Sequence, residues 1–130
     1  MSGSPVAQML CYSWRVLDLP KTYKQGNFFG VMELIFHWDI DKARKNLHKH
    51  RASFEEAKTI FNDPWLVTFP DESHSDTEER YISIGISSTN RVLLVVHAEG
   101  HQDSAGWIIR IVSCRKATAL ERKVYEEGKN

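Results

Sequence analysis

The sequence predicts an α+β domain: an antiparallel sheet of about four to five strands, with two helices on its N-terminal side and one C-terminal helix packed on it. Three observations carry this. Strand-like and helix-like stretches succeed one another as strand, helix, helix, three or four strands, helix. The apolar spacing changes from helical to alternating near residue 65. Cap-forming residues stand at the heads of the expected helices.

"MELIFHW", residues 32–38, is short and rich in strand formers. Asp39 follows at a helix N-cap position. In "IDKARKNLHKH", residues 40–50, Ile40, Ala43 and Leu47 fall at helical spacing and are expected to face the core. A second helix begins at Ser53, which with Glu56 has the spacing of a capping box. Phe54, Ala57, Ile60 and Phe61 supply its buried face, and "NDP", 62–64, ends it.

"WLVTF", 65–69, reads as a strand. In "RYISIGIS", 80–87, Ile82, Ile84 and Ile86 lie on one face and Tyr81, Ser83 and Gly85 on the other. "RVLLVVHAE", 91–99, is apolar on both faces, as a central strand is. A two-residue turn at Thr89-Asn90 would place Arg80 opposite Glu99 and Ile82 opposite His97. "WIIRIVSC", 107–114, is the next strand. Thr118 and Glu121 form a second capping box, opening a helix whose Leu120 and Val124 are expected to face inward.

Residues 1–31 show no sustained period, and Pro20 and Gly26 interrupt them. They are expected to be a poorly ordered N-terminal extension, with the domain proper in 32–130. The alternative is that "VAQMLCYSWRVL" forms a small helix packed on that domain.

The chain has 130 residues, 42% of them hydrophobic and 26% charged, with a formal net charge of zero. A core of ordinary size is affordable at this length. The charge balance does not indicate a generally cationic nucleic-acid binder, so any basic surface must be local. The two cysteines, Cys11 and Cys114, suggest no disulfide framework and fit a cytoplasmic setting. No apolar run reaches the length of a membrane span.

The cations are placed unevenly. Lys42, Lys45 and Lys49 share one face of the first helix, and Arg44, His48 and Arg51 an adjacent one. Such a surface can follow a phosphate backbone, or it can simply be solvated. Arg80 and Arg91 each open a strand. Arg110, Arg115 and Lys116 sit on the last one. By simple alternation Arg110 and Lys116 share a face and Arg115 takes the other, unless a bulge intervenes. His97 lies near the end of the central strand.

Such a set suits RNA cleavage without a metal or cofactor. The 2′-hydroxyl attacks the adjacent phosphorus, a base takes its proton and an acid protonates the leaving 5′-oxygen. Cations hold the charge that develops on the phosphorane. Imidazole titrates near neutrality, which makes His97 the candidate for proton transfer. Guanidinium donates two bonds to a phosphate at once, which suits Arg80, Arg110 and Arg115. Lys42, Lys45, Lys49, Arg91 and Lys116 are candidates for holding the RNA backbone. Metal-binding readings fail on spacing: "HKH", 48–50, sets its imidazoles roughly 200° apart on a helix, and "HAEGH", 97–101, lacks the spacer of a zinc helix. "DESHSDTEE", 71–79, reads as a solvated acidic loop.

"FHWDIDKARKNLHKHRASFEEAKTIFNDP", "FPDESHSDTEERYISIGIS", "RVLLVVHAE" and "RIVSCRKATALERKVYE", in that order, resemble the BrnT family of bacterial toxins from about Met32 to Tyr125. The matching positions are Trp38, Lys42, Asn46, Lys49, His50, Glu79, Arg80, Arg91, Glu99, Arg110, Ser113, Arg115, Ala117, Glu121 and Tyr125. The resemblance implies a RelE-like fold and the toxin half of a type II toxin–antitoxin pair. It implies an endoribonuclease that inhibits translation by cutting RNA, free or ribosome-associated. It also implies neutralisation by BrnA, a ribbon-helix-helix antitoxin, with operator DNA reached only through that partner. Arg51-Ala52 stands where the family usually has a glycine after "KH", and Cys114 where a small alanine is common. The alternatives are a non-catalytic co-repressor that binds antitoxin, and a housekeeping RNA-binding domain.

Overall fold

The computed structural model describes residues 33–71, 79–103 and 106–129. The expected extension 1–31 and all but the ends of the acidic stretch 71–79 lie outside them. In chain order the elements are β1 (Glu33–His37), α1 (Ile40–His50), α2 (Phe54–Lys58) running into a 3-10 turn (Thr59–Asn62), β2 (Val67–Pro70), β3 (Arg80–Ile86), β4 (Val92–Asp103), β5 (Gly106–Lys116) and α3 (Ala119–Glu127). The five strands form one sheet in the order β1-β5-β4-β3-β2. All neighbours are antiparallel except β1, which pairs parallel to β5. None of the described helices is long and apolar enough to cross a membrane.

The main core lies between one sheet face and α1, α2 and the 3-10 turn. Leu34, Leu93, Val95, Ile109, Ile111 and Cys114 from the strands meet Ala52, Phe54, Ala57, Ile60 and Phe61. The other face carries a smaller cluster, Ile84, Leu94 and Tyr125, on which α3 is seated. The isoleucines of β3 therefore face the smaller cluster, while Tyr81, Ser83 and Gly85 face the main core. Gly85 fits there for a steric reason: a Cβ would come within 2.9 Å of the Leu66 side chain.

The caps form much as the sequence suggests. The Asp39 carboxylate accepts from Lys42 N, and the Ser53 hydroxyl from Glu56 N. The Ser53–Glu56 box is only half made, because the Glu56 carboxylate accepts instead from Arg91, Ser87 and Thr89. Thr118 and Glu121 make both bonds of theirs. Arg51 ends α1 in the left-handed region at φ 57°, its N–H bonded to the Leu47 carbonyl. That is the position where glycine is ordinarily favoured, and a non-glycine residue costs roughly 1–2 kcal/mol there.

Both outer helices are rotated relative to expectation. Ile40 is 67% exposed and Leu47 47%, while Asn46 is the buried residue of α1. Leu120 is 72% exposed and Val124 44%, while Tyr125 is buried. Polar contacts orient both helices. The Asn46 amide donates to the carbonyls of Ala52 and Cys114 and accepts from Cys114 N. The Tyr125 hydroxyl donates to Asp63, 2.6 Å away. Apolar spacing alone could not anticipate either anchor.

Candidate nucleic-acid interface

Two local irregularities decide which side chains share a face. The β3–β4 turn has three residues, Ser88-Thr89-Asn90, rather than two. Ser87 N bonds to Arg91 O, and Asn90 takes a left-handed φ of 68°, a conformation asparagine tolerates well. The register accordingly moves by one: Arg80 pairs with Ala98, not Glu99, and His97 pairs with Tyr81, not Ile82. On β5 the pairing steps from His97↔Ile111 to Val96↔Ser113, so Val112 is an extra residue. This bulge reverses the alternation beyond it. Arg115 therefore shares a face with Arg110, and Lys116 takes the opposite one.

The result is a row across the sheet. Arg80 on β3 and Arg110 on β5 both pair with Ala98 on β4, so they flank its methyl group on the face away from the main core. Both arginines are half-buried. Two strand spacings separate their backbones, roughly 10 Å, so two guanidinium arms can converge on one phosphate. Ser113 and Val96 form the adjoining row, next to Ile82. At the far side His37, the last residue of β1, pairs with Arg110 and is exposed.

Arg115 shares this face but is tied down. Its two terminal nitrogens each donate to a Glu121 oxygen at 2.9 Å. The pair holds the Glu121 carboxyl below, and the Arg115 guanidinium above, their usual ranges. Its charge locks the head of α3 onto the sheet.

His97 is not part of the row. It faces the main core with no exposed surface, edge-on to the Phe61 ring at 5.2 Å and stacked near Tyr81. Its Nε2 hydrogen-bonds with the Ser83 hydroxyl. Burial pulls its pKa down to about 3, so it stays neutral and out of reach of a substrate. The expected role in proton transfer is corrected accordingly: counting along β4 puts His97 and Ala98 on opposite faces, and the arginines stand beside Ala98.

The remaining cations lie elsewhere. Arg91 binds Glu56 and the Arg51 carbonyl, joining α2 to the β3–β4 turn. With these donors Glu56 is held down to about 2, led by the Arg91 bond. Arg91 is thus a structural tie and not a backbone-holding residue. Lys42, Lys45 and Lys49 are exposed on α1, which packs on the main-core face, and Lys116 points to that same side. The arginine row and the basic helix are two surfaces, not one. Burial pushes the Cys114 thiol up to about 11, so it is a core residue and no nucleophile. Among the described residues no group of three or more His, Cys, Asp or Glu side chains comes together as a metal site.

His37 was the site-facing residue hardest to anticipate. Alternation after Phe36 gives its side, but its neighbour follows only from the parallel pairing of β1 with β5.

A family model described as the ribonuclease toxin BrnT of type II toxin–antitoxin systems matches residues 38–121. The crystal structure of the Brucella abortus ribonuclease toxin BrnT is similar at 20% identity, with a TM-score of 0.48, over 68% of this chain and 99% of that one. No curated protein sequence matches. The family match spans most of the described fold, including Arg80, Arg110 and the capping box of α3, and the chain belongs to the BrnT family of ribonuclease toxins of type II toxin–antitoxin systems.

Proposed function

We propose that this chain is an endoribonuclease that cleaves RNA by 2′-hydroxyl attack without a metal ion, and that its working surface is the part of the α3-bearing sheet face that holds Arg80 and Arg110. The observation that carries the reading is their placement on either side of Ala98. A phosphodiester bent over the small Ala98 side chain meets a planar fork from each flank. Those forks hold the non-bridging oxygens more tightly as charge builds on the phosphorane than they do in the ground state. The attacking 2′-oxygen and departing 5′-oxygen then lie along the sheet surface. In this reading Lys42, Lys45, Lys49 and Lys116 hold a longer RNA that wraps past the β1 edge of the sheet.

In this reading the cell is protected by a BrnA-like ribbon-helix-helix antitoxin, which covers the arginine face or the basic helix and links the pair to operator DNA. Uncovered, the toxin inhibits translation in the cytoplasm by cutting RNA, free or on the ribosome. The test is purified protein incubated with RNA in EDTA. Fragments ending in 2′,3′-cyclic phosphate and 5′-hydroxyl are expected. Intact RNA with and without EDTA, alongside tight antitoxin binding, would instead establish the non-catalytic co-repressor.

A further inference from the structure

The arginine row can grip a phosphate but cannot move a proton. Guanidinium stays protonated at any physiological pH and has no acceptor. The imidazole of His97 is sealed behind the sheet. Cleavage by 2′-hydroxyl attack still needs a base beside the row. We infer that His37 is the general base of this nuclease, an assignment that rests on the proposed function above.

Three observations place it. Phe36 packs on the Phe61 ring at a centroid distance of 5.3 Å, so it points into the main core and the next residue points away. His37 pairs with Arg110, which puts the two side chains on one face, a single strand spacing of roughly 5 Å apart. It is exposed, at the end of an edge strand, where a substrate can reach it. The charged groups around it are Arg110 on β5, the strand packed against β1, then Arg80 beyond Ala98, and Asp39 at the head of α1. The Asp39 carboxylate is engaged as the α1 cap, accepting from Lys42 N. Among these described groups His37 is the one that combines a nitrogen able to accept a proton with an exposed position.

The step balances simply. A neutral His37 nitrogen takes the 2′-hydroxyl proton as that oxygen bonds to phosphorus. The bond from phosphorus to the 5′-oxygen breaks, and the leaving oxygen takes a proton from water. His37 then returns its proton to the hydroxide so formed. The products are a 2′,3′-cyclic phosphate and a 5′-hydroxyl.

The test is single-turnover cleavage from pH 5 to 9 by the wild-type chain, His37→Gln and Arg110→Ala, with affinity for an RNA methylated on its 2′-oxygens as a second readout. His37→Gln should lower cleavage by about 10²–10⁴-fold and change the pH dependence of the rate. Its affinity for the methylated RNA should stay within about twofold of wild type. Cleavage by His37→Gln within threefold of wild type, with the same pH profile, overturns the inference. If Arg110→Ala is impaired in that same experiment, the nuclease reading survives it. A wild-type chain that cuts no RNA overturns both.

Discussion

Arg110→Ala is expected to lower RNA cleavage by about 10²–10³-fold, the usual cost of one donor aimed at developing charge. Growth arrest on expression should be relieved to match, while antitoxin binding and the fold persist. The fold should survive because the arginine is only half-buried and pairs on the sheet through its backbone. Arg110→Lys should recover part of the activity, since it restores a point charge but not the planar fork. Single-turnover cleavage of labelled RNA, with thermal melting as the control for folding, checks the claim. A variant that stays fully active and toxic would show that the working surface lies elsewhere. Arg115→Ala is the informative contrast, since its guanidinium holds the head of α3 through Glu121.

Asn46→Ala should have the largest effect on stability, about 3 kcal/mol or more, measured by urea unfolding. The reason lies in the sheet edge. β1 ends at His37, opposite Arg110, while β5 runs on to Lys116. Among the described residues no strand pairs with β5 on its β1 side beyond Arg110. The Asn46 side chain takes that place. Its amide nitrogen donates to the Cys114 carbonyl at 2.9 Å and its oxygen accepts from Cys114 N at 3.1 Å, as a neighbouring peptide would. Truncation leaves both Cys114 backbone groups, and the Ala52 carbonyl, without this partner inside the core. Against a total stability of about 5–15 kcal/mol for a small domain, such a loss is severe. Cleavage per folded molecule should be unchanged, which separates the variant from Arg110→Ala. A stability loss below about 0.5 kcal/mol would contradict this account of the edge.

Asn46 and Arg110 are thus expected to fail in different ways, and the sequence does not tell them apart. Local signals were readable: the strands, the cap residues Asp39, Ser53 and Thr118, and the end of α2 at "NDP" all depend on neighbours within a few residues. What escaped the sequence depends on distant partners. Asn46 meets Cys114 across 68 positions, and Arg91 meets Glu56 across 35. The first contact turns α1 so that Ile40 and Leu47 face outward. The second takes Arg91 out of the candidate RNA-binding set. His97 was misplaced for a smaller reason, since one extra turn residue shifts a register and period-two alternation does the rest. The Val112 bulge puts Arg115 on the same face as Arg110, where alternation alone would separate them.

The central claim is one of place, that RNA lies across β3, β4 and β5 on the face of Arg80, Ala98 and Arg110. The direct measurement is an amide-shift map of isotope-labelled protein titrated with a short RNA whose 2′-oxygens are methylated, so that it binds without being cut. The largest shifts should fall on these three strands around Ala98 and at His37. Shifts confined to α1, with the sheet amides unmoved, would contradict the account.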